Sequence, residues 1–102
     1  MIDRVTGFDW DAGNWPKCGR HGVSQSDIEG LFRGTPLVLP DRYPETAETR
    51  FDAVGRNGKG RHLFVVFTIR ERNGQRLIRP IRARYMHRKE IASYERQTGK
   101  GS

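Results

Sequence analysis

The sequence contains one cysteine, Cys18, so no intrachain disulfide can form. Secreted domains of about 100 residues usually carry several disulfides, and this lack favours a reducing cytosol. The longest apolar run, Leu63 to Phe67, is far too short to cross a membrane. Residues 1–4 lack the apolar stretch of a signal peptide. We therefore expect a cytoplasmic protein that has no membrane partner.

The signatures of several enzyme classes are also missing. There is no phosphate-binding P-loop and no GxSxG nucleophile elbow, and the glycines of Gly58–Gly60 are typical of a turn. His21, His62 and His87 are scattered along the chain, and there is no cysteine pair, so we expect no metal and no cofactor.

Acidic residues are scarce in the second half of the chain. Residues 1–54 contain 6 Lys/Arg and 9 Asp/Glu, a net charge of −3, whereas residues 55–102 contain 13 Lys/Arg and 3 Asp/Glu, a net charge of +10. Most of these cations are arginines, which bind phosphate through paired donors. The asymmetry favours a polyanionic partner, although a basic surface that only maintains solubility is the alternative.

The pattern of apolar residues predicts one α+β domain over residues 1–102, with frayed ends at 1–6 and 98–102. Ser24 is a good N-cap for a helix, and Asp27 three residues later completes a near capping box. Asn57-Gly58 and Asn73-Gly74 are typical of hairpin turns, so most of the sheet is expected to be antiparallel. The predicted strands and the closing helix cover Phe8–Asp11, Leu37–Leu39, Arg50–Gly55, His62–Ile69, Leu77–Tyr85 and His87–Gln97. A polar loop is expected over residues 41–46.

The strand Leu77–Tyr85 has the most informative pattern. With a period of two, Arg82 and Arg84 share one face of the sheet. Two guanidinium groups about 7 Å apart on one face repel each other unless an anion lies between them, and a phosphodiester meets that need. The alternative is that both pair with carboxylates of the protein, such as Asp52 or Glu90.

Further candidates precede the first helix. His21 lies beside Arg20, and a neighbouring cation disfavours the charged imidazole, so His21 can act as a neutral base near pH 7. A histidine that only hydrogen-bonds a loop carbonyl is the competing interpretation. Lys17 and Arg56 are plausible additional phosphate contacts.

The start of the closing helix offers a second candidate for acid–base chemistry. His87 lies at the expected N-cap, and Glu90 three residues later is placed to reach back to the backbone, which is a structural role. Because Glu90 follows Arg84 closely, it can instead be a general base with a tuned pKa.

Five motifs in order make the chain resemble the BrnT toxin family. The family opening "F-x-W-D … K-H-G-V-S" is similar to Phe8–Asp11 and to Arg20–Ser24, which leads into a helix ending in Leu31-Phe32. The family's "R … G" strand is similar to Arg50–Arg56, and its central apolar strand is similar to Leu63–Thr68. Its closing "I-S-A-R … R-R-E … Y-E" is similar to Ile81–Arg84, Arg88–Glu90 and Tyr94-Glu95.

The resemblance implies a RelE-like α+β fold, in which an antiparallel sheet of four to five strands is packed by N-terminal helices and a C-terminal helix. It implies a ribonuclease toxin of a type II toxin–antitoxin pair, which cleaves RNA without metal and blocks translation. A BrnA-like ribbon-helix-helix antitoxin would neutralise it and carry the contact with operator DNA. Together with the residue patterns above, the resemblance makes His21, Arg82, Arg84 and Glu90 the expected catalytic set. The RNA-binding set is Lys17, Arg20, Arg56, His87 and Arg88.

The chain departs from the family pattern around the expected site. Arg20 replaces the usual lysine, Arg82 a serine and His87 a threonine, and Tyr85-Met86 stands where the family has "R-A". Two hypotheses therefore remain open. The first is a ribonuclease toxin; the second is a non-catalytic protein of the same fold that binds RNA or an antitoxin.

Overall fold

The computed structural model describes residues 5–41 and 48–98. The predicted loop of residues 41–46 and the expected frayed ends therefore lie mostly outside the described residues. Val5 and Thr6, which we expected to be frayed, belong to a strand, and Thr98 ends the last helix.

Five strands, two α-helices and one short 3-10 helix make up the described chain. In order they are β1 (Val5–Phe8), the 3-10 helix (Lys17–Gly19), α1 (Gln25–Arg33), β2 (Leu37–Pro40), β3 (Phe51–Arg56), β4 (His62–Arg72), β5 (Gln75–Tyr85) and α2 (Arg88–Thr98). The strands form one sheet in the order β1-β5-β4-β3-β2. Only β1 pairs in parallel, with β5, and the other pairs are antiparallel. The predicted α+β class is confirmed.

The first strand ends earlier than the alternation of Phe8–Asp11 predicts. The Asp9 N–H still donates to the Ile78 carbonyl, but the chain then turns. The Asp11 carboxylate accepts from the Gly13 N–H, and the Asn14 amide oxygen accepts from the Asp11 N–H. Short polar side chains that bond nearby backbone in this way compete with the strand ladder, which is why β1 stops.

The capping box of α1 is confirmed. The Ser24 hydroxyl accepts from the Asp27 N–H at 3.0 Å, and the Asp27 carboxylate accepts from the Ser24 N–H at 3.4 Å. Asp27 also accepts hydrogen bonds from the Asn57 amide and the Tyr85 hydroxyl. One carboxylate therefore fixes the start of α1 against both the β3–β4 loop and the end of β5.

The core lies between α1 and one face of the sheet. Ile28 and Leu31 of α1 pack with Leu63, Val65 and Phe67 of β4, all of them buried. This side of the sheet is thus closed by apolar packing, and the charged side chains of β5 that the sequence indicates, Arg82 and Arg84, lie on the other side.

The other face is open over β4 and β5. The β4–β5 register shifts between Val66 and Phe67, so that Ile81 has no partner and Pro80 lies opposite Phe67. A bulge is where an internal strand tolerates proline, since proline has no N–H for the ladder. Beyond the bulge, Arg82 lies opposite Val66 and Arg84 opposite Phe64, so both arginines are on the open face.

Helix α2 borders this open face at one end. The Tyr94 ring packs edge-on against His62, with ring centroids 5.8 Å apart. Glu95 pairs with Arg56 at 3.7 Å. Since His62 and Arg56 are register partners, α2 covers the beginning of β4 and the end of β3. Helices therefore pack on both faces of the sheet.

Candidate functional site

A groove crosses the open face of the sheet. We define it as two adjoining cavities of about 310 and 540 Å³, which share Phe64, Val66 and Arg82 as lining residues. The smaller cavity is completed by His21, Ala83 and Arg84. The larger cavity extends toward β2, where Leu39, Pro40, Asp41 and Asp52 line it. The groove thus has a cationic end and an end that carries two carboxyl groups.

The cationic end brings together three of the predicted catalytic residues. His21, Arg82 and Arg84 line the same cavity, although His21 is about sixty residues away from the arginines in sequence. Packing explains this arrangement, because the buried Cys18 holds the 3-10 helix against β5. The loop that follows the 3-10 helix is thereby held beside the two arginines.

Two of the predicted RNA-binding residues flank this end. Lys17, Arg20 and His21 line a recess of about 90 Å³ together with Arg82 of β5. All four side chains are exposed. The recess therefore adds two cations to the rim of the groove and forms a single positive surface that can hold several phosphates.

Glu90 holds Arg84 through two parallel hydrogen bonds. The distances are 2.7 Å from Nη1 to Oε1 and 2.8 Å from Nη2 to Oε2. The Arg84 guanidinium lies 4.9 Å from the centre of the Phe64 ring. The same carboxylate accepts from the His87 N–H at 2.9 Å, which is the capping contact that the sequence predicts. Arg84 is therefore oriented at the groove before any ligand binds.

This pairing changes the acid–base character of Glu90. The hydrogen bonds from Arg84, ahead of the one from the His87 backbone, lower the pKa of Glu90 to about 2. The same contact raises the pKa of Arg84. A carboxylate with so low a pKa is a weak proton acceptor near neutral pH. The geometry favours Glu90 as the residue that positions Arg84.

Three predicted contacts lie elsewhere. Arg56 pairs with Glu95 beside α2. His87 and Arg88 are exposed at the start of α2. None of these three residues lines the cavities described above. The structure therefore divides the predicted RNA-binding set, with Lys17 and Arg20 beside the groove and the other three outside it.

Tyr85, one of the departures from the family pattern, is not part of the groove. Its hydroxyl donates to Asp27 at 2.9 Å, and the Arg61 guanidinium lies 3.5 Å from its ring centre. Both contacts are on the side of the sheet that α1 covers. The expectation that the departures cluster around the site does not hold for Tyr85, since its side chain stabilises the helix cap.

Asp52 is the groove residue whose importance the sequence did not indicate. Burial, together with the charge of Asp41 and a hydrogen bond to it, raises the pKa of Asp52 to about 6, against the opposing charge of Arg82. The sequence pattern indicates Asp52 only as a possible partner of the arginines. An aspartate between Phe51 and Ala53 inside a strand was the available signal, because strands disfavour aspartate.

No group of three or more potential metal ligands occurs within residues 5–41 and 48–98. Over the same part of the chain, neither helix is long and apolar enough to span a bilayer.

Comparison with known proteins supplies the family. Residues 10–90 match the family model described as "Ribonuclease toxin, BrnT, of type II toxin-antitoxin system". The match includes α1, β2 to β5 and every residue that lines the cationic end of the groove. No curated protein matches the chain. The chain belongs to the BrnT family of ribonuclease toxins of type II toxin–antitoxin systems.

Proposed function

We propose that this protein cleaves RNA in the groove without a metal ion, using His21, Arg82 and Arg84. The observation that carries the proposal is that one cavity is lined by all three side chains. An imidazole can move a proton, and guanidinium groups stabilise the charge that develops on a phosphate.

The reaction is a transfer within the RNA backbone. The 2′-oxygen of one nucleotide bonds to the adjacent phosphorus, and the bond from phosphorus to the next 5′-oxygen breaks. His21 takes the proton of the 2′-hydroxyl, and solvent supplies a proton to the departing 5′-oxygen. The products are a 2′,3′-cyclic phosphate and a 5′-hydroxyl end.

The arginines act on the phosphate. Arg82 and Arg84 hold its non-bridging oxygens, whose charge grows as the new bond forms. Glu90 is a positioning residue, since its two parallel hydrogen bonds hold the Arg84 guanidinium at the groove. Lys17 and Arg20 bind the flanking phosphates at the rim. Arg56, which pairs with Glu95, and His87 and Arg88 lie outside the groove, and of these the exposed Arg88 adds to the longer-range attraction of RNA.

In the cell, this activity would block translation in the cytoplasm until a BrnA-like ribbon-helix-helix antitoxin covers the groove. The antitoxin would also carry the contact with operator DNA, because its ribbon-helix-helix part is the DNA-binding element.

The test is cleavage of a mixed-sequence RNA by the purified chain in EDTA. We expect cyclic-phosphate products from the wild type and a loss of about 100-fold or more in rate for His21→Ala and Arg84→Ala. Arg96→Ala is the matched control for Arg84→Ala, because Arg96 is exposed on α2 and its loss changes the net charge equally. RNA that is bound with a steep salt dependence but left intact supports the non-catalytic alternative instead.

A further inference from the structure

The larger cavity of the groove has no role in the chemistry proposed above. It measures about 540 Å³, and it adjoins the cationic end at Phe64, Val66 and Arg82. An RNA whose phosphate lies at the cationic end must therefore place a neighbouring nucleoside over the larger cavity or away from the protein.

The floor of this cavity suits a planar ring. Leu39, Asp52, Val66 and Arg82 are successive register partners across four strands and form one row on the open face. Phe64 lies beside the row and is partly buried, and Leu39 at the outer end is 44% exposed. Apolar and aromatic side chains at such a surface stack on unpaired RNA bases.

The polar wall of the cavity offers acceptors. Asp52 Oδ1 is buried and has no hydrogen-bond partner among the described residues. Asp41, which follows β2, lines the same wall beside it. A buried carboxylate oxygen without a donor is costly, so a turn of the Asp52 side chain that exchanges its bond to Asp41 for N–H groups of a ligand in the cavity is favoured.

We propose that the larger cavity binds a guanine base next to the scissile phosphate, with the Asp52 carboxylate accepting the N1–H and the N2 amino group. The proposal rests on RNA being the substrate of the same groove. Arg82 lies in the same row as Asp52, with Val66 between them, and carries donors for guanine O6. Its five N–H groups allow it to contact the phosphate as well.

The other bases present a poorer match. Adenine and cytosine place an acceptor nitrogen beside the amino group on their Watson–Crick edges, and that nitrogen would face a carboxylate. Uracil has a single N–H between two carbonyl oxygens. Only guanine among the four offers two adjacent donors on this edge, and a matched bidentate contact discriminates between bases by about 1–3 kcal/mol.

The experiment measures binding, so that it does not depend on cleavage. Short 2′-O-methyl oligonucleotides, which lack the attacking hydroxyl, carry either guanine or inosine at one position in an otherwise uracil sequence. Inosine keeps O6 and N1–H but lacks the N2 amino group. For the wild type we expect guanine to bind about 5-fold to 100-fold more tightly than inosine, the range set by one such contact.

The decisive variant is Asp52→Asn. We expect the guanine-to-inosine affinity ratio to fall to about 1, because an amide that accepts from N1–H turns its own NH₂ toward the N2 amino group. Glu71→Gln is the matched control, since Glu71 is exposed on β4 and the charge change is the same. Retained affinity for the inosine oligonucleotide shows that the variant is folded.

Equal binding of guanine and inosine by the wild type overturns the proposal, as does an unchanged ratio in Asp52→Asn. These results leave the ribonuclease function standing if RNA is still cleaved. Conversely, a guanine preference that depends on Asp52, found in a protein that leaves RNA intact, supports the base site and overturns the ribonuclease function.

Discussion

Arg84 and Glu90 are joined by two parallel hydrogen bonds of 2.7 and 2.8 Å at the end of the groove. Since Glu90 also caps α2 through the His87 N–H, the helix and the phosphate-binding arginine share one carboxylate. The orientation of Arg84 is therefore coupled to the presence of α2.

This coupling predicts the effect of Glu90→Gln on catalysis. The glutamine can still cap α2, but it cannot make two charge-assisted hydrogen bonds to Arg84. We therefore expect the cleavage rate to fall by about 10-fold. The shape of the rate–pH profile should not change, because the proposed base is still present. If Glu90 were the general base, the fall would be about 100-fold to 10,000-fold and the shape of the profile would change. Rate–pH profiles of both proteins decide between the two roles.

The low pKa of Glu90 predicts an acid-sensitive part of the protein's stability. The folded-state pKa of about 2 lies below the ordinary value of 4.5, so the pair stabilises the fold above pH 4.5 and loses this contribution as the pH falls through 2. Both side chains are more than a third exposed, which limits the contribution to about 0.5–1 kcal/mol. Urea unfolding should show Glu90→Gln less stable than the wild type at pH 6.5 and equal to it near pH 2. A difference that does not change with pH contradicts this.

The raised pKa of Asp52 predicts the opposite dependence of stability on pH. Its pKa of about 6 in the fold exceeds the ordinary 3.8, so the folded state binds the proton more tightly and loses stability as the pH rises from about 4 to above 6. Asp52→Asn removes the ionisation and should raise the free energy of unfolding at pH 8 by about 1 kcal/mol, roughly 4–8 °C in Tm. At pH 4 the variant and the wild type should have equal free energies of unfolding. A variant that is less stable than the wild type at pH 8 contradicts the assigned environment of Asp52.

The close packing of α1 on the sheet leaves little room for a side chain at Gly55. A Cβ at Gly55 would lie 2.9 Å from Leu31 Cδ1 and 3.3 Å from Pro36 Cα. Gly55→Ala should therefore destabilise the fold by about 1–3 kcal/mol through overpacking. Gly58→Ala is the control, because a Cβ there meets nothing within 4 Å. Thermal unfolding of both variants checks the prediction, and equal Tm values contradict it.

Much of the fold could be predicted because local signals and the tertiary structure agree. Ser24 and Asp27 cap α1 as their spacing indicates, and the Asn73-Gly74 hairpin has positive φ at both residues. The turn that ends β1 depends on side-chain hydrogen bonds that alternation does not reveal. The bulge at Ile81 depends on the pairing of β5 with β4, which only the assembled sheet defines.

The site was predictable in part, where local sequence patterns determine the positions of its residues. The period of a strand places Arg82 and Arg84 on one face without further information. That His21 lines the same cavity depends on the packing of the 3-10 helix against β5, so the residues supported it only as a hypothesis. Asp52 was undervalued because its unusual environment arises from Asp41 and from burial, both of which are products of the fold.

The most direct test of the ribonuclease proposal is rescue of His21→Ala by added imidazole. Cleavage of RNA by this variant would be followed at pH 7 in EDTA, with and without imidazole, beside the wild type. We expect wild-type cleavage, a variant slower by about 100-fold or more, and a rate that rises with imidazole concentration, because a small base replaces the missing side chain. Intact RNA with the wild type, or wild-type speed in the variant, would contradict the proposal.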